Sequence, residues 1–121
     1  MKGGLLRGLA TFMILTELAS GPKCGYEIGK DISGKLGDGL PPGYVYVMLN
    51  MLERKGLVVG VEAGPRRKKT YRLTDKGVQF LLEHEQHIGK LISLLQEVQG
   101  VVKALRQGQV VSNIKSGEGV G

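Results

Sequence analysis

Of the 121 residues one is cysteine, two are histidine and none is tryptophan. A lone thiol, Cys24, closes no disulfide within the chain, and with only His84 and His87 beside it there is no cysteine-rich zinc site. Cys24 reads most simply as a small, partly buried thiol in a reducing compartment. Long apolar runs are missing as well. The stretch from Leu5 to Leu18 is interrupted by Arg7 and Glu17 and is too short to span a bilayer. It also lacks the small-residue cleavage pattern of a secretory leader. These absences imply a cytoplasmic chain with no membrane partner. No paired carboxylates, nucleophile with a base, phosphate loop or metal-ligand set can be found, so no catalytic residue, metal or cofactor is assigned and the expectation is a non-enzyme.

Acid is scarcer than base. Eleven acidic residues against seventeen basic ones give a formal charge of +6 and a pI near 9.6, which favours a polyanionic partner. Arg66, Arg67, Lys68, Lys69 and Arg72 stand within one short stretch, so the excess is local. Apolar content of 41% is ordinary for a globular chain. The length suits one small domain, near the size where association often helps.

The organising stretch runs from Gly43 to Thr74. Val45, Leu49 and Leu52 fall three and four apart, one stripe of a helix, and Gly56 stands where a glycine would stop it. Leu57, Val58, Val59 and Val61 then favour strand, Gly64-Pro65 signals a turn, and Tyr71 and Leu73 alternate with polar neighbours. A helix followed by a basic hairpin is the plan of a winged helix-turn-helix, in which the helix enters a DNA major groove and the hairpin rides on the backbone. The fold class expected is therefore mainly α with a small β-hairpin wing, an α+β arrangement.

Residues 4–20 read as a first helix, apolar on more than one side and hence packed against two things. Its own domain supplies one; a second subunit could supply the other. Residues 24–35 form a second helix with Tyr26, Ile28 and Ile32 inward. Glycines between Gly34 and Gly39 make the turn, and Pro41 and Pro42 suit the start of the third helix. On that helix the outward candidates are Tyr44, Val47, Asn50, Met51 and Arg54. Only Asn50 and Arg54 carry side chains that commonly contact bases. An exposed asparagine needs no ligand, so base reading and plain solvation both stand for Asn50, while Arg54 lies near the helix end and suits a phosphate, Glu53 or solvent. Tyr44 lies beside a helix N-terminus that could hold a phosphate; Tyr46 could do the same or pack in the core. Arg66, Arg67, Lys68 and Lys69 are assigned to the DNA backbone, the competing reading being a charged tip that protects an exposed edge.

Thr74 is a natural N-cap for a last helix. From there Leu81, Ile88, Leu95 and Val102 recur every seven residues, with His84, Leu91, Val98 and Leu105 three behind, an a/d seam that asks for a partner helix. Gly89 and Gly100 mark bends. Three regions are expected: a DNA-binding domain over 1–73, a dimerisation helix over 74–107 and a mobile tail over 108–121. The partners expected are double-stranded DNA and a second copy of the chain.

Three linked stretches carry a family resemblance. Gly21-Pro22-Lys23-Cys24-Gly25-Tyr26-Glu27-Ile28 resembles the Gly-Pro-x-x-Gly-Tyr-x-Ile signature of PadR-like transcriptional regulators. Gly43, Tyr46, Leu49, Leu52, Glu53, Gly56, Leu57 and Val58 match its third helix, and Arg67, Lys68, Tyr71, Leu73, Thr74 and Gly77 its wing. The resemblance implies a winged-helix repressor, dimeric through its C-terminal helix, on a pseudo-palindromic operator. Tyr44 stands where the family usually has serine or threonine, and Val47 where it often has proline. Some relatives release DNA when a small-molecule effector enters the dimer interface, often on an aromatic platform in the last helix, so the resemblance implies a small-molecule effector as a further partner; here that helix offers only Phe80. The leading function is thus a dimeric, sequence-specific DNA-binding regulator that represses. A low-specificity architectural DNA-binding protein and a winged-helix protein-interaction module are the alternatives.

Overall fold

The computed structural model describes residues 2–37, 41, 43–66 and 68–108, with the backbone alone at 2–7 and 63. Gly39, Pro42 and Arg67 of the expectations above lie outside the described residues, as does the tail beyond Gly108. The chain divides into two compact units at the Glu83–His84 junction.

The first unit comprises α1 (Lys2–Ala19), β1 (Lys23–Cys24), α2 (Gly25–Leu36), α3 (Tyr44–Arg54), β2 (Val58–Ala63), β3 (Lys68–Leu73) and α4 (Asp75–Glu83). It is a mainly helical winged helix, α2 and α3 forming the helix-turn-helix and β2–β3 the wing. Its core joins Ile14, Leu15 and Leu18 of α1, Ile28 and Ile32 of α2, and Val45, Met48, Leu49 and Leu52 of α3. Leu57, Val58 and Tyr71 close it from the hairpin side. Burial of each such aliphatic side chain contributes about 1.5–3 kcal/mol. Leu9, Val78 and Leu82 leave apolar surface open on α1 and α4. Among the described residues no helix is long and apolar enough to cross a membrane.

Each boundary near the third helix has a local chemical cause. Gly43 caps α3 in a left-handed conformation. At the other end Gly56 takes φ 79°, its N–H donates to Glu53 O and the Leu57 N–H to Leu52 O, which satisfies the last carbonyls in a Schellman motif. The Thr74 hydroxyl donates to Gly56 O at 2.6 Å and accepts from the Gly77 N–H at 3.0 Å. One side chain therefore caps α4 and ties it to the end of α3.

Three expectations need correction. Wing and helix two are joined by a third strand, because Lys23 and Cys24 pair with Tyr71 and Thr70 to give a β1-β3-β2 antiparallel sheet. Two residues carry too little periodicity for the sequence to declare a strand. Tyr26 does not face inward but is 69% exposed. It follows directly on Gly25 in the first helical turn, where the inward face belongs to Gly25 and Ile28. The last helix, read as continuous over 74–107, is two helices. His84 adopts φ −96° and ψ 0°, and α5 (Glu85–Arg106) begins after it with Glu85 in its first turn, where the helix dipole favours a carboxylate. Leu81 consequently belongs to α4 and packs against the core of the first unit.

The second unit is described by α5 and the residues flanking it. None of its helical residues is buried, and Leu91, Ile92, Leu94, Leu95, Val98, Val102 and Leu105 are each about half exposed. The His84 and His87 rings lie 6.0 Å apart. Gly108 ends the helix with φ 78°.

Candidate nucleic-acid interface

Strand alternation sorts the wing cations into two classes. On β3, Lys69, Tyr71 and Leu73 share one face while Lys68, Thr70 and Arg72 share the other. Tyr71 is buried; Lys68 and Arg72 are exposed, as is Arg66 in the turn. Lys69 therefore points toward the body of the unit. Its ammonium lies 3.0 Å from Glu53 Oε1 and 5.3 Å from the centre of the Tyr71 ring. The other oxygen of Glu53 accepts the Gly60 N–H at 3.1 Å. Gly60 is where this tie needs room: a Cβ there would collide with Lys69 Cε and come within 3.1 Å of the Tyr71 ring. Glu53, Lys69 and Gly60 thus fasten the hairpin to the last turn of α3. The sequence alone groups Lys69 with the backbone-binding cations; its neighbour two positions on, the buried Tyr71, is the signal that it belongs to the inner face.

Electrostatics follow from that geometry. The hydrogen bond from Lys69, helped by the Gly60 amide and opposed by desolvation, holds the Glu53 carboxyl below the usual carboxylate range. Glu53 in turn raises the Lys69 ammonium above the usual lysine value. Because the folded value of Glu53 is the lower one, its contribution is complete above the unfolded carboxylate range and is lost as pH falls through the folded value. The contribution of Lys69 is complete below the ordinary lysine value and is lost as pH rises through the raised one. Glu53→Gln is expected to lower stability at neutral pH, with the gap to wild type closing on acidification in melts across a pH series. A gap independent of pH would mean that the tie is not ionic.

The helix-turn-helix is held by an analogous set at its other end. Cys24 precedes α2, and the Glu27 carboxylate accepts both its backbone N–H and its thiol, each at 3.2 Å. These bonds, with Lys68 and Lys23 nearby, lower the Glu27 carboxyl from its ordinary value. Lys23 pairs with Glu17 at 2.9 Å and lies 3.9 Å from Asp31, tying β1 to α1 and α2. Gly25 sits under the Tyr46 ring, where a Cβ would approach Cε1 to 2.6 Å. Tyr46 therefore neither enters the core nor projects at random: half exposed, its ring bridges the starts of α2 and α3.

On α3 the exposed side chains are Tyr46, Val47, Asn50 and Arg54. Tyr44, an outward candidate from sequence, is half-buried against the core instead, and Met51 is half-buried too. Phe80, the one aromatic of the last helical segment, stacks on Phe12 with ring centres 6.0 Å apart and packs against the core. The seam positions Ile88, Leu91, Leu95, Val98, Val102 and Leu105 all fall on α5. Sequence reasoning missed Ile92, Leu94 and Val101, which widen that apolar face. Their positions beside the two counted rows were the available signal. Leu94, Val98, Val101 and Val102, with Glu97, line a shallow groove along it.

A helix-turn-helix whose third helix is exposed on one face, a clamped basic hairpin and a further helix with an apolar face define a class of winged-helix proteins. The transcriptional regulator PadR-like family matches residues 14–83, more than half of the chain, and the chain belongs to that family. A transcriptional regulator from Thermoplasma acidophilum has a similar structure, with 29% identity and a TM-score of 0.70 over 79% of this chain and 95% of its own. A PadR family regulator from Eggerthella lenta is similar at 26% identity and a TM-score of 0.65, over 79% and 86%. A PadR-like regulator from Bacillus cereus shares the fold at 23% identity and a TM-score of 0.68, over 79% and 96%. Among curated proteins none matches.

Proposed function

We propose that this protein is a homodimeric, sequence-specific DNA-binding regulator that represses by covering promoter DNA. The observation that carries the reading is the Glu53–Lys69–Gly60 tie. It fixes a hairpin bearing Arg66, Lys68 and Arg72 against the end of a helix whose Val47, Asn50 and Arg54 are exposed. In that arrangement α3 enters the major groove while the wing cations follow the phosphates. Phosphate contacts position the protein; the α3 side chains supply the reading of sequence. Tyr46, at the start of α3, is the further candidate for a phosphate. Arg67 belongs with the wing cations by its place in the sequence.

The dimer is supported by α5, which offers a continuous apolar face of a kind that marks association surfaces. Its seam runs from Ile88 to Leu105. In such a dimer each copy brings one α3 helix to one half-site, and a bound dimer would exclude polymerase by occupancy alone.

Replacing Arg66 and Lys68 by alanine tests the wing. Affinity is expected to fall on every duplex alike, and the dependence of log affinity on log salt to flatten by about one unit per lost phosphate contact. Fluorescence titrations at several salt concentrations measure this, and an unchanged slope would remove the wing from the interface. Equal, steeply salt-dependent affinity of the wild type for all duplexes would favour the low-specificity architectural reading.

A further inference from the structure

The exposed face of α3 has an unusual chemical order. Gly43 at the cap is followed by Val47, Asn50 and Arg54, at steps of four, three and four that keep to one face of a helix. Val47 is 62% exposed, and Asn50 and Arg54 are exposed with it. Two neighbours that could have added hydrogen bonds or charge to this face are engaged elsewhere. Tyr44 packs against the core, and Glu53 is held by Lys69 and Gly60. A valine is thus left at the centre of the surface that meets DNA, one step before an asparagine.

Base edges offer one apolar group in the major groove, the 5-methyl of thymine, and an amide side chain matches adenine N6 and N7 in a bidentate pair. Three residues of helix rise about 4.5 Å, against about 3.4 Å per base step. Side chains at these two positions therefore reach neighbouring base pairs. Arg54 lies a further turn along, at the end that meets the backbone.

We propose that Val47 and Asn50 select a thymine and an adenine in neighbouring base pairs, Val47 by contact with the thymine methyl and Asn50 by a bidentate amide pair. This rests on the DNA-binding reading above and adds the base chemistry that the helix recognises. Val47 is then a specificity-determining residue rather than a tolerated surface valine, and the half-site must carry A·T pairs at its centre of contact.

The test begins with the full chain selecting from a library of randomised duplexes. In the selected duplex each thymine is replaced in turn by deoxyuridine, which lacks only the methyl, and each adenine by 7-deazaadenine, which lacks N7. One thymine per half-site should lose about fourfold in affinity on demethylation, the effect of removing one buried methyl-sized group. A neighbouring adenine should lose about tenfold on loss of N7, within the range of a bidentate pair. Val47→Ala should bind the thymine and uracil duplexes equally while staying sensitive to 7-deazaadenine; Asn50→Ala should show the reverse. Both side chains are exposed, so the variants should melt as the wild type does. Selection of G·C pairs throughout, or an unchanged thymine-to-uracil ratio in Val47→Ala, would overturn the inference while leaving sequence-specific binding intact. Enrichment of no sequence at all would overturn the regulator reading and this inference with it.

Discussion

Leu91→Asp combined with Leu95→Asp is expected to yield monomers in sedimentation, and to weaken binding to a two-half-site duplex by two orders of magnitude or more. Both leucines are about half exposed on α5, in line with Val98, Val102 and Leu105. In a symmetric pair each would be covered by its counterpart, and an unpaired carboxylate at such a place must be desolvated, at a cost of several kcal/mol. Two half-sites held by one dimer gain about 10²–10⁴ over a single contact through effective concentration, and that is the gain the monomer forfeits. Affinity for an isolated half-site should change little. Gln96→Asp, exposed on the same helix but off the seam, should remain dimeric. A dimer that survives the double substitution would move the interface to another surface, such as Leu9, Val78 and Leu82 on α1 and α4.

Gly77→Ala is the second change with a large expected effect. Gly77 is buried in the first turn of α4, and a Cβ on it would collide with the Leu57 carbonyl and stand 2.6 Å from Leu73 Cδ1. The carbonyl is backbone and cannot swing aside. It also accepts the Thr74 N–H at 3.2 Å, so any retreat disturbs the junction where α3, the wing and α4 meet. Overpacking of this kind typically costs about 1–3 kcal/mol, or roughly 5–20 °C in melting temperature for a domain of this size. Thermal unfolding by circular dichroism measures it. A melting temperature within a degree or two of wild type would show that α4 can slide outward without loss. Thr74→Ala removes the cap from the same junction and should cost about 1 kcal/mol.

Much of this architecture was legible in the residues. The stripe of Val45, Leu49 and Leu52 gave the third helix its inward face, and Gly56 its end, because a Schellman stop depends on one local backbone conformation. Thr74 was recognisable as a cap for a similar reason. What stayed hidden depended on contacts between segments distant in the chain. Lys23 and Cys24 form a strand only because β3 is there to pair with them. Tyr46 takes its position from Gly25, twenty-one residues earlier. The role of Lys69 depends on Glu53 and on the space that Gly60 leaves; a run of four cations looks uniform until strand alternation divides it. The heptad rows run through His84 in the sequence because periodicity alone does not register the non-helical backbone of one residue, and so Leu81 counts with the seam there although it packs against the core.

The central claim is that α3 and the clamped wing recognise DNA with sequence preference. It is tested most directly by titrating the purified protein against the DNA upstream of its own gene and against a scrambled duplex of equal composition, at two salt concentrations. The expected result is a preference of about a thousandfold or more for the native sequence, with both affinities falling as salt rises. Equal affinity for the two duplexes at both salt concentrations would contradict it.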